Sequence, residues 1–155
     1  MRRPHGSAEW VATVGGIGLL PKAPGTWGSL VALPFAWLIT LWGGSAALLV
    51  AAAAVAFVGI LAADEAAKKS NVADPGSIVI DEVAGQFLAL VLIAPSWIGY
   101  AVGFAAFRFL DIVKPWPVSW ADRKIKGGFG IVLDDLLAGA YVLLIMLVVR
   151  QFVAV

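Results

Sequence analysis

The 155-residue sequence contains no cysteine and a single histidine, His5. The first absence excludes disulfides, thiolate metal sites and a cysteine nucleophile. A lone histidine beside the N-terminus leaves a Ser-His-Asp triad without its base and a phosphohistidine intermediate without its nucleophile. No Asp-x-Asp-x-Thr run exists for an aspartyl-phosphate phosphatase of the haloacid dehalogenase type. Charge is scarce as well: Asp, Glu, Lys and Arg form 14% of the chain against 61% hydrophobic residues, whereas soluble domains run at about 25% and about 45–50%. With a mean hydropathy of +0.94, water is the wrong solvent for this protein. The 11 basic and 10 acidic residues nearly cancel, so the basic excess of a nucleic-acid binder is missing. Glu9 and the glycines that follow it make the first residues a poor signal peptide, and insertion is expected to rely on internal segments.

What the chain does have is long apolar runs, in a length that suits one domain over residues 1–155. From Ala23 to Ala63 no residue is charged, about twice the ~20 residues that one membrane helix needs. Gly43-Gly44, after the interfacial aromatic Trp42, is the natural turn of a helical hairpin with arms over about 28–42 and 45–63. Pro34 in the first arm predicts a tilted, kinked or partly buried helix. A polar stretch follows from Asp64 to Glu82, including Lys68, Lys69 and Asp74, with a Pro75-Gly76-Ser77 turn that predicts a helix from about Ser77. A second uncharged stretch, Val83 to Phe107, is interrupted at Pro95-Ser96-Trp97. One continuous span there would put basic segments on both faces of a bilayer, against the positive-inside rule. A broken or re-entrant pair turning at Pro95, its halves shielded by neighbouring helices, satisfies the rule. The charge-dense segment Arg108 to Asp135 then lies on the cytoplasmic surface, and a last apolar helix runs from about Leu136 to Val149. The expected fold is all-α, a multi-pass helical membrane protein with hairpins and a polar cytoplasmic-side active site.

The acids carry the chemistry. Ile78-Val79-Ile80-Asp81-Glu82-Val83-Ala84-Gly85 recurs as Ile131-Val132-Leu133-Asp134-Asp135-Leu136-Leu137-Ala138-Gly139, with one residue inserted before the Ala-Gly pair. Each copy would place adjacent carboxylates at the start of an apolar helix, with small residues one turn later that permit close packing. Side by side, the two helices would gather four carboxylates. Such acids are costly to desolvate and need a partner cation or a metal, and an all-oxygen set selects magnesium, calcium or manganese over zinc. Taken singly, an acid near a helix N-terminus also just stabilises the helix dipole. Arg108, Asp111 and Lys114 would share one helix face and could form a simple ion-pair ladder; Lys114-Pro115-Trp116-Pro117 then ends the helix in a rigid elbow. The Gly15–Ser29 segment offers backbone amides, Lys22, Thr26 and Ser29 as in an anion-binding loop, although the Gly-Lys-Ser/Thr ending of a nucleotide-binding loop is absent. Metal-assisted attack by water, with cations neutralising phosphoryl oxygens, is the mechanism these residues leave open.

Four blocks resemble the phosphatidylglycerophosphatase A family in its own order: Gly18-Leu19-Leu20-Pro21-Lys22-Ala23-Pro24-Gly25-Thr26-Trp27-Gly28-Ser29-Leu30; Gly76-Ser77-Ile78-Val79-Ile80-Asp81-Glu82; Phe107-Arg108-Phe109-Leu110-Asp111-Ile112-Val113-Lys114-Pro115-Trp116-Pro117; and Asp122-Arg123 with Gly127-Gly128-Phe129-Gly130-Ile131-Val132-Leu133-Asp134-Asp135. The resemblance implies a magnesium-dependent enzyme of the bacterial inner membrane that hydrolyses phosphatidylglycerophosphate to phosphatidylglycerol and phosphate. It carries over Asp81, Glu82, Asp111, Asp134 and Asp135 as the acidic motif residues; our expectation is that Asp81, Glu82, Asp134 and Asp135 hold magnesium, with Asp111 as a further ligand or the base that orients the attacking water. Asp81, Asp111 and Asp134 are the expected catalytic acids, and Lys22, Thr26, Arg108, Lys114 and Arg123 the grip on the substrate phosphates. Two other classes compete. A CDP-alcohol phospholipid synthase also uses membrane-edge aspartates, but its Asp-Gly-x-x-Ala-Arg spacing is missing, and a transporter or scaffold would not need acids and bases concentrated on one face.

Overall fold

A computed structural model describes residues 6–70 and 75–152; His5 and Asp74 lie outside them. The described residues are helical, with no strand among them. A short α1 (Ser7–Ala12) and a 3-10 turn (Ile17–Leu19) lead to Pro24, which opens α2 (Pro24–Ser70) at the position where a missing N–H costs nothing. α2 is not straight. Gly44 has φ 69° and ψ −169°, a conformation open to glycine and strained for other residues. Residues on either side of it line one shared cavity, Val31 and Phe35 facing Ala54 and Val55, although Val31 and Val55 would stand about 36 Å apart on a straight helix. The chain therefore folds back on itself at Gly44, the hairpin expected from the Gly43-Gly44 pair, with arms that reach further, to Pro24 and Ser70.

The second apolar stretch is also broken. α3 (Ile80–Leu90) stops before Pro95, and α4 (Trp97–Val113) restarts with Ser96 as its cap, whose hydroxyl accepts the Gly99 N–H at 3.0 Å. At 11 residues α3 is too short to cross a bilayer alone. It lies inside the bundle, packed against both arms of α2 and the last helix, and nearly every one of its residues is buried. α4 is longer than a half-span and carries Arg108 and Asp111 inside its last two turns. After it come α5 (Val118–Lys124) and α6 (Gly127–Phe152).

Two helix starts differ from the sequence reading. α3 begins at Ile80, three residues after Ser77, because the Val79 N–H is taken by the Ala12 carbonyl at 2.9 Å and the entering chain stays pinned to α1. α6 begins at Gly127, well before Leu136: Asp64 of α2 accepts the Gly128 N–H at 3.3 Å and caps it from another helix. Asp134 and Asp135 therefore sit about two turns inside α6.

The core is made by Leu48, Phe87, Leu90, Phe107, Val118 and Val142. Outside it, large apolar side chains face outward along every long helix, among them Phe57 at 66% exposure, Ile112 at 70% and Trp42 at 89%. Apolar exposure on that scale marks a surface made for contact with a membrane or another protein. Pro24–Lys69 and Gly127–Phe152 are each long and apolar enough to cross a membrane. Polar groups gather at one end of the bundle, where Asp64 meets Gly128, Glu82 meets Arg108 and Lys114 meets Asp134. The opposite end holds the Gly44 turn, the 91–96 connection and Arg150, which bonds the Leu92 carbonyl at 2.8 Å.

Candidate active site

α3 and α6 touch through glycine. A β-carbon on Gly139 would run into the Gly85 carbonyl, and one on Gly85 would sit 2.6 Å from the Asp135 carbonyl. This approach, which the repeated small residues predicted, sets the two acidic pairs face to face. One carboxylate oxygen each from Asp81, Glu82 and Asp135 lie within 4.8 Å of one another, and the same holds for Asp111, Asp134 and Asp135. Asp135 belongs to both groups, so five acids from three helices form one continuous cluster. Gly25, in the first turn of α2, closes it on another side: any side chain there would collide with the Glu82 carboxylate.

Two cations flank the cluster. Arg108 donates to Asp111 at 2.7 Å and stands 3.9 Å from Glu82; the same nitrogen reaches Ser29 Oγ at 3.5 Å, and Ser29 itself bonds the Gly25 carbonyl at 3.0 Å. Lys114 does not continue the expected ladder. It ends α4 with a left-handed φ of 48°, and its ammonium turns to Asp122 and Asp134, 2.6 Å from each. Burial alone would push that ammonium toward neutrality, but the two carboxylates outweigh it and hold Lys114 above the ordinary lysine range. Beside it a cavity of about 40 Å³, lined by Asp122, Lys126 and Asp134 among others, is roomy enough for water.

With Asp122, which shares Lys114, six carboxylates face two cations and leave four formal negative charges uncompensated. Asp81 Oδ1, Glu82 Oε2 and Asp135 Oδ2 are buried and accept no hydrogen bond among the described residues. Buried oxygens without partners in a native site call for an ion or water, and a set made only of carboxylate oxygens fits a hard divalent cation such as magnesium. The remaining candidates are less tightly drawn in. Thr26 is half-buried in the first turn of α2 beside Gly25, whereas Lys22 and Arg123 are exposed, Arg123 bonding the Ser119 carbonyl of its own helix at 2.9 Å. Sequence reasoning did not single out Asp122, second partner of Lys114, or Asp64, cap of α6. It also passed over Gln86, fully buried one turn beyond Glu82 with both amide atoms unpartnered among the described residues. Gln86 had one readable signal, a lone amide in an apolar run next to an acidic pair.

Fold and site together define an all-helical protein, with helices long and apolar enough to cross a membrane, whose carboxylates converge on a centre suited to a divalent cation. The model of the family described as phosphatidylglycerophosphatase A matches residues 10–150. A phosphatidylglycerophosphatase A of Escherichia coli is 42% identical over 80% of this chain and 72% of its own length. One of Haemophilus influenzae is 36% identical over 88% and 85%. A Bacteroides thetaiotaomicron protein named putative phosphatidylinositol-3-phosphatase is 37% identical over 97% and 98%. No solved structure matches. This chain belongs to the phosphatidylglycerophosphatase A family of lipid phosphatases.

Proposed function

We propose that the protein hydrolyses phosphatidylglycerophosphate to phosphatidylglycerol and inorganic phosphate, with magnesium held by Asp81, Glu82, Asp111, Asp134 and Asp135. The observation that carries this reading is the pair of acidic triads sharing Asp135, with buried oxygens that no protein donor satisfies. A bound divalent cation would supply charge neutralisation for the phosphoryl oxygens and a more acidic water. The chain's own groups do the rest. Arg108 fixes Asp111, which is placed to orient the attacking water and take its proton; as the phosphorus–oxygen bond to glycerol breaks, that proton is returned to the leaving alkoxide. Lys114, between Asp122 and Asp134, stays charged and faces the developing negative charge. Lys22, Thr26 and Arg123, at the same end of the bundle, suit the second phosphate of the head group.

The cluster is read as lying at the cytoplasmic face of a bacterial inner membrane that the chain crosses several times. Lys68, Lys69, Arg108, Lys114, Arg123, Lys124 and Lys126 belong to the polar end and Arg150 to the other, the asymmetry of the positive-inside rule. The test is phosphate release from phosphatidylglycerophosphate by detergent-purified protein, with magnesium and then with excess chelator. Release that needs magnesium supports the whole reading. Release that survives chelation keeps the phosphatase and removes the metal; no release from folded protein overturns both. Phosphatidylinositol 3-phosphate, run in parallel, tests the substrate class for which the third relative is named.

A further inference from the structure

The first arm of α2 and α4 run antiparallel, joined at both ends. At the polar end Arg108 of α4 reaches Ser29 of α2. At the other, Trp37 packs on Tyr100 and Trp97 with ring centroids 5.1 and 5.3 Å apart, and the Tyr100 and Thr40 hydroxyls lie 3.3 Å from each other. Between these ends is a groove of about 620 Å³, walled by Leu30, Leu33, Pro34 and Leu38 on one side and Ala101 on the other. Leu33 lies one turn beyond Ser29 on the same face of α2, and Ala101 two turns before Arg108 on α4, so the groove's polar-end side points toward Arg108 and the acidic cluster. Its α2 wall runs about 12 Å, from Leu30 to Leu38, and its far part is lined by Trp37, Trp97 and Tyr100.

We propose that this groove receives one acyl chain of the phospholipid substrate and so holds its phosphorylated head group against the cluster. The proposal rests on the lipid-phosphatase reading and deepens it. Three observations favour a substrate chain over bulk lipid. The groove lies in register with the site, Leu33 one turn from Ser29 on α2 and Ala101 two turns from Arg108 on α4. It is larger than the wholly apolar groove of about 380 Å³ between the two arms of α2. Its far part carries the Tyr100 hydroxyl, paired with Thr40, a polar group that a hydrocarbon chain passes only at a cost. In a bilayer, lipid tails are as apolar as the groove, so little transfer free energy is gained on entry. What the groove contributes is orientation of the reacting phosphate, a term that reaches about 100-fold for a misplacement of about 1 Å.

The experiment uses the full chain in phosphatidylcholine nanodiscs with phosphatidylglycerophosphate carrying a diazirine midway along one acyl chain. Photolysis and peptide mapping should place the label on Trp37, Leu38, Trp97 or Ala101. Label concentrated on Phe35, Ile39 or Ala54, in the inter-arm groove, or spread over all lipid-facing helices, overturns the proposal. The second readout is Ala101→Trp, at an exposed position, which should lower kcat/KM on the lipid about tenfold more than on the deacylated head group. A smaller difference with both activities intact also overturns it. If the variant loses both activities alike, the label on the unmodified protein decides. Failure of the phosphatase reading looks different: the unmodified protein would then release phosphate from neither substrate, wherever the label falls.

Discussion

The two acidic pairs are unequal copies of one motif. Asp81 and Glu82 stand in the first turn of α3, whereas Asp134 and Asp135 lie about two turns inside α6. In each, one acid meets a cation, Glu82 with Arg108 and Asp134 with Lys114, and its neighbour does not; Asp81, Glu82 and Asp135 each keep one buried oxygen without a hydrogen bond among the described residues. The cations are placed differently. Lys114 is 2.6 Å from Asp134, while Arg108 is 3.9 Å from Glu82 and spends its short contact on Asp111. The helix dipole accounts for the difference, since it stabilises acids by about 0.3–1 kcal/mol but fades beyond the first turn. The α3 pair receives that help and tolerates a distant cation; the α6 pair does not and has a close one.

The strongest way to break the comparison is to remove what both groups share. Asp135→Asn should reduce phosphate release by about 10³-fold or more, since it removes a charge from both triads at once. A circular-dichroism spectrum and melting curve like the parent's would separate that loss from misfolding, and activity above a tenth of the parent's would show that the triads do not act together. Next in size is Lys114→Met. The α6 pair should depend on its cation, so kcat/KM should fall about 10- to 100-fold, the range seen when groups that orient metal ligands are removed. An unchanged value would mean that Asp122 and Asp134 need no counter-charge and that the dipole argument is wrong.

The glycine contact between the copies comes third. Gly139→Ala would drive a methyl group into the Gly85 carbonyl, and backbone, unlike the end of a flexible side chain, cannot swing aside. Overpacking of that kind costs about 1–3 kcal/mol. Thermal unfolding in detergent should show it, together with a loss of activity as the acidic pairs move apart; a melting temperature equal to the parent's would place the contact outside what holds α3 on α6.

Much of this was legible along the chain because its causes are local. Gly43-Gly44 marks a reversal, Pro95 a break, and the repeated acids with a glycine one turn later announce two helices in close contact. What was not legible depends on partners far apart in sequence. The N-terminal two turns of α6 read as surface because they lead into two acids, and it takes Lys114 and the cap from Asp64 to make that stretch helical and buried. α3 starts late because α1 captures the Val79 N–H. Lys114 pairs away from its own helix because its left-handed backbone redirects the side chain, a result of the elbow that the prolines foretold without giving its direction.

Gln86 separates the copies most finely, because the α6 copy has Ala140 at the same place after its glycine. The α3 copy thus carries a fully buried amide whose oxygen and nitrogen both lack a partner among the described residues. An amide buried in that way costs about 1–3 kcal/mol, while leucine, of similar volume, buries no polar atom. Gln86→Leu should therefore raise the stability in detergent by about 1 kcal/mol, the lower end of the range because leucine's branch must still find room in a fully buried position. With Ala140 showing that the motif's second copy does without an amide, activity should stay within about threefold of the parent. A stabilised but inactive variant would show instead that the amide's unmet hydrogen bonds are reserved for the substrate or its water, and that the α3 copy carries a functional group that its partner lacks.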